Sequence, residues 1–462
     1  MIHAGASVKE SLHVPERVSL PFGWRWSRID RACLGIFDCP HSTPPLVTDG
    51  PYLARSQDIR TGSFKINEAS RVSEDTYRVR TAQAEPTYGD LLFSREGTYF
   101  GIAAEVPKNI RVCLGQRMVL IRPDPDQLDH RFLKYWLDSS SVAAHVYGYR
   151  DGTVAERLNL PTIRALPVPL APMPEQRAIG NLLGTLDEKI ELNRAMNETL
   201  EAVARTIFKS WFVDFDPVRA KVEGRWRRGE PLPGFPADLY DLLPDSFGDS
   251  PVGKIPKTWT VRPIGDCVRV FGGSTPRTEE LSYWQGGAHR FATPKDLSQI
   301  KGPILLTTER RLTDVGLAQV GSGLLPTGTV LLSSRAPIGY AAIADLPVAI
   351  NQGIAAMVCD ADVPNYYAYF WVRENLDTII SYANGSTFLE ISKGNFRKID
   401  ALRPSPAVLK AFRDLVAPFF DQIRNNLRQE LTLAAIRDAL LPKLISGEVS
   451  PVEPNLASAV EE

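Results

Sequence analysis

Residues 174–212 read PEQRAIGNLLGTLDEKIELNRAMNETLEAVARTIFKSWF, and the fold of the chain can be predicted outward from this stretch. It has no proline after Pro174 and no glycine after Gly184, so it is uninterrupted helical sequence. Pro174 suits a first helical turn, where its missing N–H has no helical partner. The Asp216-Pro217 pair marks the exit. At about 1.5 Å per residue, such a helix is roughly 55 Å long.

Mostly apolar residues recur along this helix at alternating spacings of four and three, which is the heptad pattern of a coiled coil. The seam consists of Ile179, Leu183, Leu186, Ile190, Asn193, Asn197, Leu200, Ala204, Ile207 and Trp211. Two asparagines interrupt its apolar character, and polar seam residues fix register at some expense of stability. One long core helix of a globular domain is the alternative, but the sustained spacing favours a two-helix coiled coil.

The composition indicates a cytoplasmic protein of several domains. The chain has 462 residues, enough for about two to four domains. Its five cysteines form no C-x-x-C pair, which suggests a reducing compartment. The N-terminus has no signal-peptide pattern, and no apolar run is long enough to predict a membrane span. The net charge of −1 neither indicates nor excludes a nucleic-acid ligand, because clustering on one face decides binding.

The chain contains an internal repeat whose order is kept throughout. HSTPP (41–45) matches GSTPR (273–277), PYLARSQDI (51–59) matches HRFATPKDL (289–297), PTYGDLLFSREGTYFGIAA (86–104) matches PTGTVLLSSRAPIGYAA (326–342), Gln116 matches Gln352, Trp136 matches Trp371, and GTVAE (152–156) matches GSTFLE (385–390). Scattered coincidence would not preserve this order, so the pattern predicts a duplicated α/β unit.

The long helix is repeated as well. Residues 405–449 are strongly helical, with Ser405 as a candidate N-cap and Gly447 at the end. At one constant offset from the first helix, the second carries the seam residues Ile423, Asn426, Leu433 and Leu440. Pro418 is expected to kink the helix. If the two helices pair antiparallel, the repeated units form a pseudo-two-fold arrangement.

Motifs for catalysis are missing from the sequence. There is no G-x-x-x-x-G-K-[ST] phosphate loop, no G-x-G-x-x-G, no H-E-x-x-H and no cysteine–histidine cluster. Asp187-Glu188-Lys189 resembles the D-x-K end of a nuclease metal site, but it lies within the helix, where such carboxylates are usually solvated. The sequence predicts no catalytic residue and no metal site.

Several segments resemble type I restriction–modification specificity (S) subunits. They are LPVPLAPMPEQ (166–176), LGTLDEKIELN (183–193), KSWFVDFDP (209–217), GGSTPRTEELSYWQGG (272–287), FATPKDL (291–297) and LLPKLISGEV (440–449). The resemblance covers roughly residues 20 to 449 in order. It implies an α+β chain in which two target-recognition domains are separated by helices that form an antiparallel coiled coil.

The resemblance also gives the domain bounds that we expect. They are an N-terminal extension (1–19), a first target-recognition domain (20–173), the central helix (174–214), a Pro/Gly-rich linker (215–255), a second target-recognition domain (256–404), the C-terminal helix (405–447) and a tail (448–462).

Partners and cofactors follow from the resemblance. Double-stranded DNA would be read as a bipartite site, one half by each domain. Two methyltransferase (M) subunits would dock on the helices, and translocating restriction (R) subunits would join them. S-adenosylmethionine, ATP and Mg²⁺ are expected on those partners, and none in this chain. No membrane contact is expected.

Polar loop residues near glycine and proline are the candidates for DNA contact, because base edges are read by donors and acceptors on a surface. In the first unit they are His41, Ser42, Thr43, Arg55, Ser94, Arg95, Gln116, Arg150 and Thr153. In the second they are Ser274, Thr275, Arg277, Tyr283, Trp284, Lys295, Ser334, Arg335, Gln352 and Thr387.

Residues that match between the units are better explained as scaffold or phosphate contacts than as base readers. The matched pairs are Ser42 with Ser274 and Arg95 with Arg335. Two units with different targets must differ where they read, so base contacts are expected in unmatched stretches such as REGTYF (95–100) and EELSYWQGG (279–287).

Two other classes of function remain open. One is an enzyme, a nuclease or a fused methyltransferase, although the N/D-P-P-[YF] motif of the latter is missing. The other is a coiled-coil adaptor with no role in DNA reading. Binding of a duplex by the chain together with its M subunits would distinguish the adaptor from a DNA-reading subunit.

Overall fold

A computed structural model describes residues 19–60, 62–97, 100–147, 157–232, 234–235, 237–359, 363–385 and 389–451. The candidate residues Arg150, Thr153 and Thr387 lie outside these ranges. The chain forms two compact units. Unit 1 comprises residues 1–189 and 432–462, and unit 2 comprises residues 190–431, so the division falls within both long helices.

Unit 1 is a mixed α/β unit built on short strands. Its strands are β1 (Arg25–Arg28), β2 (Cys33–Asp38), β3 (Val47–Ala54), β4 (Ile59–Arg60), β5 (Ser63–Phe64), β6 (Ser70–Arg71), β7 (Leu91–Ser94), β8 (Ala103–Glu105), β9 (Val112–Leu114), β10 (Met118–Pro123) and β11 (Pro167–Leu170). Its short helices are α1 (Glu74–Thr81), α2 (His130–Leu137), α3 (Ser140–Tyr147) and α4 (Leu160–Ala165).

The first long helix, α5 (Met173–Phe212), is 40 residues long. The elements that follow are the helices α6 (Asp216–Val222), α7 (Ile264–Cys267), α8 (Pro294–Gln299), α9 (Asp314–Leu317), α10 (Asn365–Glu374), α11 (Leu376–Ser381) and α12 (Lys393–Arg397), and the second long helix α13 (Pro406–Ser446). The strands are β12 (Phe247–Ser250), β13 (Gly253–Pro256), β14 (Thr260–Pro263), β15 (Arg269–Gly272), β16 (His289–Ala292), β17 (Ile304–Leu305), β18 (Arg310–Leu312), β19 (Val330–Ser333), β20 (Ala341–Ala344), β21 (Val348–Ile350), β22 (Ile354–Val358) and β23 (Asp400–Arg403).

Three sheets of unit 1 have counterparts in unit 2, where β17 adds a fifth strand parallel to β20. Unit 1 has the strand orders β2-β10-β7-β8, β6-β3-β9 and β1-β11, and unit 2 has β15-β22-β19-β20-β17, β18-β16-β21 and β14-β23. Even the parallel pairs correspond, since β3 runs parallel to β9 and β16 runs parallel to β21. The predicted duplication is therefore confirmed at the level of strand order and direction.

In unit 1, the first part of α5 packs against the last part of α13. Ile179 and Leu183 share a buried core with Leu444, Ile445 and the aromatic residues of α2. Nearer the division between the units, Asp187 accepts a hydrogen bond from Arg437 at 2.7 Å. Sequence numbers rise along one helix as they fall along the other, so the helices are antiparallel here.

In unit 2, the rest of α5 pairs with the first part of α13 in the same antiparallel sense. Asn426 donates to Asn197 at 2.8 Å. Further along, Trp211 and Phe212 pack edge-on against Phe412, with ring centroids 6.0 and 5.1 Å apart. Aromatic pairs in this geometry add to the free energy of apolar burial.

The residues of the predicted seam are buried or half-buried. The buried members on α5 are Ile179, Leu183, Ile190, Asn193, Asn197, Ala204 and Trp211, and the half-buried ones are Leu186, Leu200 and Ile207. On α13, Ile423 and Asn426 are buried, whereas Leu433 and Leu440 are half-buried. The helix α13 is continuous through Pro418, whose side chain is exposed.

Two glycines on α5 lie where α2 approaches closely. A Cβ at Gly180 would lie 2.9 Å from the Arg131 Cβ, and one at Gly184 would lie 2.9 Å from an Arg131 guanidinium nitrogen. Glycine costs about 1 kcal/mol in a helix interior relative to alanine. The close packing of α2 on α5 offsets that cost.

Candidate nucleic-acid interface

In unit 1, three loops meet at one end of the four-stranded sheet. Strand β10 pairs antiparallel with both β2 and β7, which places Asp38 beside Val119 and Ser94 beside Met118. The loops that leave β2 and β7 therefore lie beside the turn that enters β10. We call residues 38–43, 95–97 and 115–117 the rim of unit 1.

Hydrogen bonds tie the rim of unit 1 together. Gln116 donates from Nε2 to the His41 carbonyl at 3.0 Å. The Arg95 side chain donates to Asp38 at 3.3 Å, and its backbone N–H donates to the Arg117 carbonyl at 3.0 Å. His41, Ser42 and Thr43 are exposed. The rim thus presents polar side chains on a loop whose backbone is fixed.

Arg80, which the sequence analysis did not identify, forms hydrogen bonds that connect a loop of the rim to the end of β9. Its side chain is buried and donates to the carbonyls of Leu114 at 2.9 Å and of Ser42 and Pro40, both at 3.1 Å. These partners are 34 to 40 residues away along the chain. The burial of Arg80 and its distant partners follow from the tertiary structure, and no local sequence pattern indicates them.

Two other candidates of unit 1 have internal structural roles. The Arg55 side chain donates twice to the buried Asp58 carboxylate, at 2.9 and 3.0 Å, and the Arg55 backbone N–H donates to the same carboxylate. Ser94 is fully buried, and its Oγ has no hydrogen-bond partner among the residues that the structure describes. Neither side chain is exposed to solvent as the His41 side chain is.

The rim of unit 2 consists of residues 273–277, 334–335 and 351–353, at the same end of the corresponding sheet. Thr275 donates to the Gln352 side chain, so the glutamine again contacts the preceding loop, although Gln352 accepts this bond whereas Gln116 donates its own. Ser274 donates to the Gln319 carbonyl at 3.2 Å. A Cβ at Gly273 would lie 1.7 Å from the Ile350 carbonyl oxygen, so only glycine allows the two loops to approach.

Strand pairing corrects one match between the units. Ser94 pairs with Met118, and Ser333 pairs with Ile354, so these two serines are the equivalent residues. Arg95 then corresponds to Ser334, whose N–H donates to the Gly353 carbonyl at 2.9 Å. The match of Arg95 with Arg335 is therefore wrong by one residue, because it followed identical letters rather than the hydrogen-bonded register.

In the corrected alignment, equivalent positions of the two units carry opposite charges. Arg335 corresponds to Glu96 of unit 1. Glu96 forms an isolated β-bridge with Arg157, and Arg335 forms one with Glu390, where the side chains are 3.7 Å apart. The same backbone bridge is thus built with the charges exchanged, so the two rims present different electrostatic surfaces.

The remaining candidates of unit 2 lie on the loop before β16 and beside it. The Trp284 ring packs edge-on against Phe291 at 5.3 Å and donates from Nε1 to the Arg277 carbonyl at 3.0 Å. Tyr283 is half-buried, and its carbonyl accepts the Thr313 N–H at 3.0 Å. Lys295 is exposed and pairs with Glu309 at 2.7 Å. Ser334 is buried.

The nuclease-like Asp187 is committed to protein partners. Its carboxylate accepts from Lys134 at 2.9 Å, from Tyr135 at 2.6 Å and from Arg437 at 2.7 Å. Burial raises the pKa of Asp187, but Lys134, Tyr135 and Arg437 together bring that pKa below its usual value. This arrangement joins α2, α5 and α13 and leaves no free carboxylate for a metal.

Across the described part of the chain, no group of three or more His, Cys, Asp or Glu side chains could hold a metal ion. Within the same residues, no helix is long and apolar enough to cross a membrane.

A second feature is duplicated, at the opposite end of each central sheet from its rim. In unit 1 a cleft of about 430 Å³ lies between the turn before β7, the end of β10 and the first turns of α2 and α5, with Arg177 at its edge. In unit 2 a cleft of about 530 Å³ lies between the equivalent elements, with Lys410 and Arg413 at its edge.

These features define a class of protein in which one α/β unit occurs twice, each copy packed on part of a pair of long antiparallel helices. A crystal structure of a type I restriction–modification system S subunit from M. genitalium has a similar fold. The TM-score is 0.55 at 14% identity, and the match covers 94% of this chain and 98% of that one.

Residues 49–202 and 256–407 match the model of the type I restriction modification DNA specificity domain, and the chain belongs to that family. It is 24% identical over 435 residues to the type I restriction enzyme HindI specificity subunit of Haemophilus influenzae, covering 85% of this chain and 93% of that one. It is 25% identical over 328 residues to the type I restriction enzyme MjaIX specificity subunit of Methanocaldococcus jannaschii, covering 70% of each.

Proposed function

We propose that this chain is the non-catalytic subunit that reads a bipartite DNA sequence for a type I restriction–modification complex. The observation that carries the proposal is the repeated rim. Both units present loops at the same end of the same sheet, on the same backbone bridges, but with different side chains. A conserved scaffold with exchanged surface groups is what two readers of different half-sites require.

In this proposal the rims contact the two halves of the site. Donors and acceptors that base edges need are offered in unit 1 by the exposed His41 and Thr43 and the half-buried Gln116, and in unit 2 by the exposed Thr275, Arg277 and Gln352. Arg95 and Arg335, each held by a carboxylate, are placed to contact backbone phosphates. Each good bidentate base contact discriminates against a wrong base by about 1–3 kcal/mol.

Methyl transfer and DNA translocation belong to partners in this proposal. Two M subunits supply S-adenosylmethionine chemistry, and R subunits supply ATP- and Mg²⁺-dependent movement and cleavage. The duplicated cleft supports two copies of one partner, because each unit offers an equivalent surface with a cation at the start of a long helix. With its free cysteines, the complex would work in the cytoplasm.

The proposal is tested by exchanging residues 20–165 for the corresponding segment of another family member. Methylated adenines are then mapped across the genome of cells that also carry the M subunit. We expect one half of the recognised site to change and the other half to remain. A change in both halves, or in neither, would contradict modular reading.

Two alternatives make different predictions in simpler assays. An adaptor without DNA readout would fail to bind any duplex specifically when purified with its M subunits. A fused enzyme would methylate or cleave DNA when the chain is assayed alone, and we expect neither activity above background.

A further inference from the structure

Two arginines face each other across neighbouring strands in unit 2. Strands β16 and β18 run antiparallel, and their register places Arg290 directly opposite Arg311. Directly opposite residues of an antiparallel pair lie on one face of the sheet, and like charges in that position are destabilising. The sheet therefore contains a repulsive pair that the fold alone does not need.

Within the described residues, neither arginine forms an ion pair. Arg290 donates to the neutral Thr307 hydroxyl at 2.9 Å. The acids nearby in sequence have other partners, since Glu309 pairs with Lys295 at 2.7 Å and Asp314 lies 2.6 Å from His289. Burial first and the charge of Arg311 second lower the pKa of Arg290. The missing ion pairs and the lowered pKa of Arg290 indicate that the two guanidinium groups share a site without a counter-ion.

Unit 1 resolves the same position differently, and so provides an internal comparison. Tyr52 pairs with Val112 of β9 as Arg290 pairs with Val348 of β21, so Tyr52 and Arg290 are equivalent. Opposite Tyr52 is Arg71, the counterpart of Arg311.

The unit 1 pair is satisfied within the protein. The Arg71 guanidinium lies 4.1 Å from the centre of the Tyr52 ring and donates to its hydroxyl at 2.6 Å. It also donates to the Gly50 carbonyl at 2.7 Å. A cation–π pair stabilises an exposed site by about 0.5–1 kcal/mol. Unit 2 has replaced this favourable pair with a repulsive one.

We propose that Arg290 and Arg311 form a clamp for one phosphate of the DNA backbone beside the half-site that unit 2 reads. The inference rests on the proposed DNA-reading function. Guanidinium groups match phosphate oxygens in bidentate geometry, and a shared phosphate removes the repulsion between them. A phosphate contact positions the protein and carries no sequence information, so the clamp contributes affinity and not specificity.

The experiment measures binding of the complex with its M subunits to a duplex that carries the mapped site, over a series of salt concentrations. Arg311→Gln removes an exposed guanidinium, and Arg290→Tyr copies the pair of unit 1. The slope of log affinity against log salt is expected to become shallower by about 0.9 for one lost phosphate contact. The thermal midpoint of each variant should equal or exceed that of the wild type, because the repulsion is gone.

Arg71→Gln is the matched control at the equivalent position. It should lower the thermal midpoint, since it removes a satisfied cation–π pair, and leave the salt slope unchanged. Unchanged salt slopes in both unit 2 variants would overturn the clamp. Wild-type complex that fails to bind the duplex at all would instead overturn the proposed function.

A second experiment distinguishes binding of a DNA phosphate from binding of free phosphate. Inorganic phosphate is added at constant ionic strength, and the thermal midpoint of the wild type is compared with that of Arg311→Gln. A rise in the wild type alone, with unchanged salt slopes for DNA, would show that the site takes a free anion, and the clamp on DNA would be wrong.

Discussion

Arg80 illustrates how one buried guanidinium can fix an exposed loop of the unit 1 rim. Its three carbonyl partners come from the loop after β2 and from the end of β9, which are distant in sequence. Each carbonyl would lose a charge-assisted hydrogen bond if the arginine were absent. The exposed residues His41, Ser42 and Thr43 depend on this buried support for their positions.

We expect Arg80→Met to lower the free energy of unfolding by about 1–3 kcal/mol, because it removes the donor to the buried Leu114 carbonyl and to two part-buried carbonyls. If unit 1 reads one half of the DNA site, as proposed, the variant should also reduce methylation that depends on that half. Denaturant unfolding and methylation mapping measure the two effects. Arg78→Ala, on the exposed face of the same helix, is the control and should change neither. Normal reading by a destabilised Arg80→Met protein would show that the loop does not need this support.

Asp138 is a second residue of interest, because its surroundings change the pKa of its carboxyl group. It caps α2, and its Oδ1 accepts the Ala103 N–H at 2.8 Å. Burial raises the pKa of Asp138 from 3.8 to about 6, although Lys134 acts in the opposite direction. The folded protein therefore binds a proton at this site more tightly than the unfolded chain does.

This difference predicts a pH dependence of stability. Between pH 3.8 and about 6 the folded state holds more protons at Asp138, so its contribution to stability falls as pH rises through that window. Asp138→Asn should lack this part of the pH dependence and should gain stability relative to the wild type from pH 4.5 to pH 7.5. Urea unfolding at several pH values tests it, with the exposed Asp126→Asn as control. Parallel curves for wild type and Asp138→Asn would contradict the assignment.

At the scale of the element, a buried polar layer interrupts the helix pair within unit 2. Asn197 donates to Glu430 at 3.1 Å and accepts from Asn426 at 2.8 Å. Arg194 donates to the second Glu430 oxygen at 3.1 Å. Burial raises the pKa of Glu430, although Arg194 acts in the opposite direction. Such layers fix helix register because any shift leaves the polar groups unpaired.

We predict that Asn197→Leu lowers the free energy of unfolding by about 2–4 kcal/mol, since it removes the acceptor of the Asn426 side-chain N–H and the donor to one Glu430 oxygen. Replacing Asn197, Asn426 and Glu430 together by leucine should recover that loss, because an apolar layer needs no hydrogen bonds. Chemical denaturation of the two variants, with the exposed Glu198→Ala as control, measures the difference. A triple variant less stable than Asn197→Leu would contradict this account.

For the whole molecule, the length of the helix pair is the variable to test. In the proposed function it sets the gap between half-sites. Four residues inserted into both helices, after Lys189 and after Leu431, would lengthen the pair by about 6 Å and rotate it by about 40°. That length corresponds to one or two base pairs, since duplex rises about 3.4 Å per base pair.

The expected result is a changed gap between two unchanged half-sites, measured by methylation mapping in cells with the M subunit. Two residues inserted into each helix serve as the comparison. They turn the apolar stripe by about 200° and should abolish activity. An active four-residue variant that keeps the original gap would show that the helices do not set the spacing.

Local pattern was sufficient to predict both long helices and the duplication. The apolar spacing from Ile179 to Trp211 predicts a helix whose observed bounds are Met173–Phe212, because helix period depends on neighbours three and four residues away. The buried asparagines were visible for the same reason. Motifs that match in the same order predict two copies of one unit without any information on the strands.

Contacts between distant residues determined the rest. The carbonyl partners of Arg80, the equivalence of Arg95 with Ser334, and the arginine pair on β16 and β18 all depend on strand register, which no local spacing encodes. Residues 215–255, expected as a Pro/Gly-rich linker, instead contribute helix α6, the hairpin of β12 and β13 and the buried Trp226 to the core of unit 2. The Trp226 ring packs against Phe235 and Tyr240, with ring centroids 5.8 and 5.2 Å apart, and these contacts depend on how the segment folds, which its composition does not encode.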